Sequence, residues 1–179
     1  MADNIERNLK HPVWNVYEHM RTSRLNVLYY TSKLQFYGRL QLFMQIILAA
    51  TVPSSAIAGF EIWDFGIGKY AWEILVVLSS IIAFAQPFLG LQKKIKKIDE
   101  IVVGYKILYF DLQDIRHKIE EDQAYLKSHK KLHQSAKDRR KKLEIKETGL
   151  RYNGRLNRKC QKLAAIELPA KKFYIPKEI

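Results

Sequence analysis

Residues 40–60, LQLFMQIILAATVPSSAIAGF, run through twenty-one positions without a charge. No other feature limits the fold as strongly. A soluble helix of that length needs a polar face, and the only polar side chains here are Gln41, Gln45, Thr51, Ser54 and Ser55. A signal peptide lies at the extreme N-terminus and has a shorter apolar core. A membrane span needs about 20 apolar residues to cross roughly 30 Å of hydrocarbon, and the run meets that length. A second uncharged run, residues 74–91, ILVVLSSIIAFAQPFLGL, follows a short linker. The pair predicts a two-span transmembrane helical hairpin. The competing reading is a buried soluble hairpin.

Charge placement decides the orientation this hairpin would take. The chain carries a formal net charge of +13. Arg21, Arg24, Lys33 and Arg39 precede the first run, and Lys93, Lys94, Lys96 and Lys97 follow the second. The linker, residues 61–73, holds Lys69 as its one basic residue. Basic residues stay on the cytoplasmic side, so both termini are expected in the cytoplasm, with the loop outside. Trp63, Tyr70 and Trp72 fall where aromatic rings favour the headgroup level, while Arg39 and the Lys93–Lys97 group mark the inner interface.

Polar and small residues recur within the runs at helical spacing. Gln41, Gln45, Val52, Ser55 and Gly59 share one face, with Ser54 beside them. Ser79, Ala83, Gln86 or Pro87, and Gly90 share another, with Ser80 adjacent. Two readings stay open: close packing of the spans on each other, or the lining of a pore built from several hairpins. Coupled pumps usually need ionisable groups within the membrane, and neither run has one. Pro53 and Pro87 predict kinks.

The remaining parts read as cytoplasmic helices. Residues 1–39 form an N-terminal helical segment that can run into the first span. Residues 93–142 read as one long helix within a helical region ending near residue 168. Along it, Ile98, Ile101, Tyr105, Leu108, Leu112, Ile115, Ile119, Asp122 and Leu126 are three and four apart. This is a coiled-coil-like stripe with one polar break, to be buried on the N-terminal helix of the same chain or on other copies. Leu143, Leu150, Leu156, Leu163 and Ile166 are candidates to cover it. The tail, residues 169–179, reads as extended and loosely packed, or as a docking peptide through Phe173 and Tyr174. The expected fold class is all-α.

The most basic run, residues 130–142, contains Lys130, Lys131, Lys137, Arg139, Arg140, Lys141 and Lys142. It fits a solvated helix face, a nucleic-acid contact or a lipid contact. The single cysteine, Cys160, excludes an intramolecular disulfide and reads as an ordinary buried thiol. His129 and His133 have helical metal-ligand spacing but no third ligand at suitable distance. There is no Gly-rich phosphate loop and no nucleophile elbow, so neither an enzyme nor a cofactor is expected.

Residues 24–60, RLNVLYYTSKLQFYGRLQLFMQIILAATVPSSAIAGF, lead into the second run and LQKKIKKIDEIVVGYK. In this order of parts the chain resembles the SLATT-type two-transmembrane effectors of bacterial anti-phage systems, over about residues 24–125. The resemblance implies a toxic effector that assembles in the inner membrane and permeabilises it. It also implies control by a partner: a sensor that makes nucleotide messengers, or a retron-type reverse transcriptase with its DNA/RNA hybrid. The rival readings are a non-toxic membrane scaffold tethering a cytoplasmic nucleoprotein complex, and a soluble helical nucleic-acid-binding protein.

Overall fold

The computed structural model describes residues 11–51 and 67–176. They are helical, with no strand among them, as the all-α reading expects. The elements are α1 (Val13–Thr51), α2 (Ile67–Leu89), α3 (Leu91–Asp122), α4 (Lys127–Glu147) and α5 (Gly154–Glu167), followed by a 3-10 turn at Ala170–Lys172. The chain divides into two compact units. One joins the residues up to Ser32 with those from Lys97 onward, and the other is Lys33–Lys96.

In the first unit the stripe on α3 forms the core. Ile98, Ile101, Tyr105, Leu108, Leu112, Ile115 and Ile119 are each at most 3% exposed. Val13, Val16, Met20 and Val27 of α1 are buried with them, as are Leu143 of α4 and Ala164 of α5. The Tyr30 ring of α1 stacks on Tyr105, with centroids 6.2 Å apart and planes 6° apart. Each such side chain contributes about 1.5–3 kcal/mol on leaving water. The stripe expected as an oligomer surface is therefore used inside one chain. Of the two partners left open by the sequence, the chain's own helices cover it.

The expected continuous helix over residues 93–142 is broken. α3 stops at Asp122, and Gln123 takes a left-handed φ of 51°. His129 secures the reversal from both ring nitrogens. Its Nδ1 accepts the Leu126 N–H at 3.2 Å, and its Nε2 faces Asp122 Oδ2 at 3.0 Å. Leu126 is thus the residue that opens α4, 47% exposed, and not a member of the stripe. α4 returns antiparallel to α3, as the pairs Asp111 with Arg139 and Glu100 with Lys146 show. Gly104 lets the two helices approach, since a Cβ there would overlap Leu143 Cδ2.

α5 starts at Asn153, whose side chain accepts the Leu156 N–H at 3.1 Å, a normal helix cap. Small residues, Cys160 and Ala164, occupy its buried face. Leu163 and Ile166, expected to cover the stripe, lie in solvent instead. Glu167 pairs with Arg24 of α1, and the Tyr17 hydroxyl donates to the Leu168 carbonyl at 2.8 Å. The tail packs more firmly than its composition predicts. Phe173 is buried against Trp14 and Tyr17, and the Tyr174 hydroxyl donates to Gln123 Oε1 at 2.6 Å.

Among the described residues the second unit has a small core: Met44, Ile47, Ile82 and Leu91, flanked by Tyr37, Leu40 and Leu48. Many of its other described large apolar side chains point outward. Phe84 and Phe88 are 77% and 78% exposed, with Phe43, Ile46, Ile74, Val77 and Ile81 similarly bare. The segment Tyr70–Leu89 is long and apolar enough to cross a membrane, and 6% of it is buried. Gly90 separates α2 from α3 at a φ of +54°. Glycine accepts that conformation without the steric cost a Cβ brings.

Candidate functional site

The second unit holds a cleft of about 380 Å³. α1 supplies Gln41, Met44 and Gln45, and α2 supplies Gln86 and Pro87. Gly90, Leu91, Gln92 and Lys93 complete the wall. Gln41 and Gln45 are one helical turn apart, as are Gln86 and Gly90, so each helix turns one polar edge toward the cleft. Met44 belongs both to the cleft wall and to the small core beside it.

Its chemistry is that of uncharged hydrogen bonding. Each glutamine amide offers two N–H donors and a carbonyl acceptor, so four of them can solvate water, an ion or a facing amide. Lys93 adds positive charge at one edge. Pro87 has no N–H, so the Ala83 carbonyl lacks its usual donor four residues on. No carboxylate, histidine or thiol is among the residues that line the cleft, and Lys93 is its one ionisable side chain.

Of the residues expected to line a pore or pack the spans, Gln41, Gln45, Gln86 and Gly90 are brought together here. Ser79 and Ser80 are not. Both hydroxyls donate to the Val76 carbonyl of their own helix, at 2.9 and 2.8 Å, and Ser80 and Ala83 are exposed. Ser54, Ser55, Gly59, Pro53 and Trp63 lie outside the described residues. Among the interfacial candidates, Arg39, Tyr70, Lys93, Lys94 and Lys96 are exposed and Trp72 is half-buried. Lys97 belongs to the first unit, where its ammonium donates to the Thr148 carbonyl at 2.8 Å and closes the end of α4.

Three of the seven cations in the basic run on α4 are matched by acids. Arg139 pairs with Asp111, Arg140 with Glu144 and Lys141 with Asp138. Lys130 sits over the Tyr125 ring at 5.7 Å. Lys131 and Lys142 are exposed and carry no ion pair among the described residues, and Lys137 lies beside His19.

The first unit also brings together histidines from two helices, α1 and α4. His133 Nε2 is 2.8 Å from His19 Nδ1, and the Tyr125 hydroxyl is 3.4 Å from His133 Nδ1. Burial, then the neighbouring His19 and Lys137, hold His133 down to about 4. Burial lowers His19 as well, reinforced by Arg140 and Lys137 and opposed by Glu18 and Glu144. A neutral pair shares one proton across this contact. His129 points elsewhere, to Asp122, so His129 and His133 do not converge on one ligand position. No signal in the sequence joins His19 to His133 across 114 residues. Cys160 is buried, and that burial pushes its thiol up.

No protein-family model, curated protein or solved structure matches the chain.

Proposed function

We propose that the chain is a membrane-embedded effector. In this reading α1 and α2 continue into a hairpin that crosses the lipid twice, with both termini in the cytoplasm of a bacterial cell. Several hairpins assemble and permeabilise the inner membrane when a partner releases or activates them. The likeness to SLATT-type anti-phage effectors over residues 24–125 points the same way, and such a partner would be a defence sensor or a reverse transcriptase complex.

The observation that carries the reading is the bare apolar surface of the second unit. Large apolar side chains face outward along α2, and glutamines line the cleft between α1 and α2. Water-soluble proteins rarely leave apolar patches beyond a few hundred Å² bare. Lipid accepts such a surface, and within it a cluster of uncharged amides hydrogen-bonds across helices or around permeating water. A soluble helical protein would need its apolar segments as core, and 6% of Tyr70–Leu89 is buried.

Induced expression in bacteria loaded with a potential-sensitive dye tests this directly. Rapid depolarisation is expected, with the protein retained in the pellet after carbonate extraction. Replacing Gln45 and Gln86 by Leu should abolish most of the depolarisation and leave membrane retention intact. Normal potential under induction and in the presence of phage would leave the scaffold reading in its place. Release into the carbonate supernatant would remove both membrane readings.

A further inference from the structure

From α5 we infer a binding surface for the phosphate backbone of a nucleic acid, separate from the basic run on α4. Arg155, Arg158, Lys159 and Lys162 are all exposed. Their spacing of three, four and seven residues puts them on one face, opposite the buried Cys160 and Ala164. None of the four has an acidic partner among the described residues. The one acid on α5, Glu167, is held by Arg24. The contrast with α4 is direct: there three of the seven cations are already neutralised by neighbours.

Four like charges on one helical face repel. Pairs at i,i+3 and i,i+4 each destabilise by about 0.2–0.5 kcal/mol, and α5 carries four such pairs. A polyanion turns this repulsion into attraction. The face rises about 10 Å from Arg155 to Lys162, the axial span of about three phosphates on one strand. Tyr152, three residues before the first cation, is 68% exposed although its ring lies 6.2 Å from that of Tyr29, and its open face offers a surface on which a base can stack.

A lipid surface fits less well. Membrane-surface helices bury an apolar face in the headgroup region, and the apolar face of α5 is spent against its own unit. The exposed face offers only Ile166, with Leu163 at its edge. The cations therefore suit phosphates that come without acyl chains. This inference stands apart from the pore reading, because it concerns the first unit alone.

The test uses the full chain in nanodiscs of phosphatidylcholine, with fluorescein-labelled oligonucleotides of mixed sequence, single-stranded and duplex, followed by anisotropy. Binding should weaken with salt at a log–log slope of about −3 for four phosphate contacts. Replacing Arg155, Arg158, Lys159 and Lys162 together by Ala should weaken binding by about tenfold or more at low salt. Each of Lys159→Ala and Lys162→Ala alone, at exposed positions that leave the core untouched, should reduce the slope by about 0.7–0.9. The pair Lys131→Ala and Lys142→Ala on α4 should change affinity by less than about twofold, as sites outside the contact. Binding that survives the fourfold variant overturns the proposal. So does a parent protein that ignores oligonucleotides and binds phosphatidylglycerol vesicles, or an acidic protein, through the same four residues.

Discussion

The two units follow opposite rules for their apolar residues. On α3 the stripe from Ile98 to Ile119 is hidden and the charges face water. On α2 Phe84 and Phe88 are bare, and Gln86 between them turns to a cleft. One helix is ordered by the exclusion of water. The other carries its apolar surface outward, where only another apolar phase gives it a stable place. The comparison teaches that average hydropathy says little about this chain, because its mean of −0.25 blends two surfaces of opposite kind.

The largest expected effect separates the units outright. Leu112→Asp places an unpaired charge in the core of the first unit, which costs about 4 kcal/mol or more, and should abolish its cooperative thermal unfolding. Phe84→Asp should leave that transition within about 0.5 kcal/mol but cut membrane insertion, since an acid at a span centre costs about 2.5–3.5 kcal/mol. If both variants unfold alike by circular dichroism, the contrast between the units fails.

Acid should act on the first unit next most strongly. His133 is held near 4, against an ordinary 6.5. As pH falls through 6.5 the unfolded chain takes up the proton first, so stability present above that pH is lost on the way down to about 4. The loss is on the order of 3 kcal/mol. Denaturant titration across this window should show the decline, and His133→Gln should flatten it. A parent protein whose stability is level from pH 7 to pH 4 would mean that the histidine contact is open to water.

Gly104→Ala sharpens the packing side of the comparison. The new methyl meets the tip of the Leu143 side chain, so a cost of about 1–2 kcal/mol is expected, relieved when Leu143→Ala is added. Double-mutant analysis of thermal unfolding measures the coupling. The smallest effect belongs to the exposed pair of Arg140 and Glu144. Breaking it with Glu144→Ala should change stability by about 0.5 kcal/mol or less, which guards against reading every variant of the first unit as disruptive.

Much of the first unit was legible because its core repeats along one helix. Seven stripe positions from Ile98 to Ile119 follow simple periodicity, and burial follows periodicity. The reversal after Asp122 was hidden because EEDQAYLK contains neither Gly nor Pro. What ends α3 is a left-handed Gln123 and an aspartate–histidine contact made across the turn. Phe173 was hidden for a related reason: its partners Trp14 and Tyr17 lie at the other end of the chain. In the second unit the glutamines at i and i+4 meet at the cleft, while Ser79 and Ser80 bond within their own helix. A hydroxyl in a helix is often satisfied by its own preceding turn, as Ser79 and Ser80 are. The basic face of α5 is hidden in the sequence because its cations are dispersed, unlike the contiguous run at residues 130–142.

The first unit is discontinuous: residues up to Ser32 find their partners only after Lys97. Tyr17 waits for Leu168, and Trp14 waits for Phe173. During synthesis residues 33–96 therefore leave the ribosome before the chain that completes the first unit has been made. Translation order alone makes that segment available before the first unit can complete its own core.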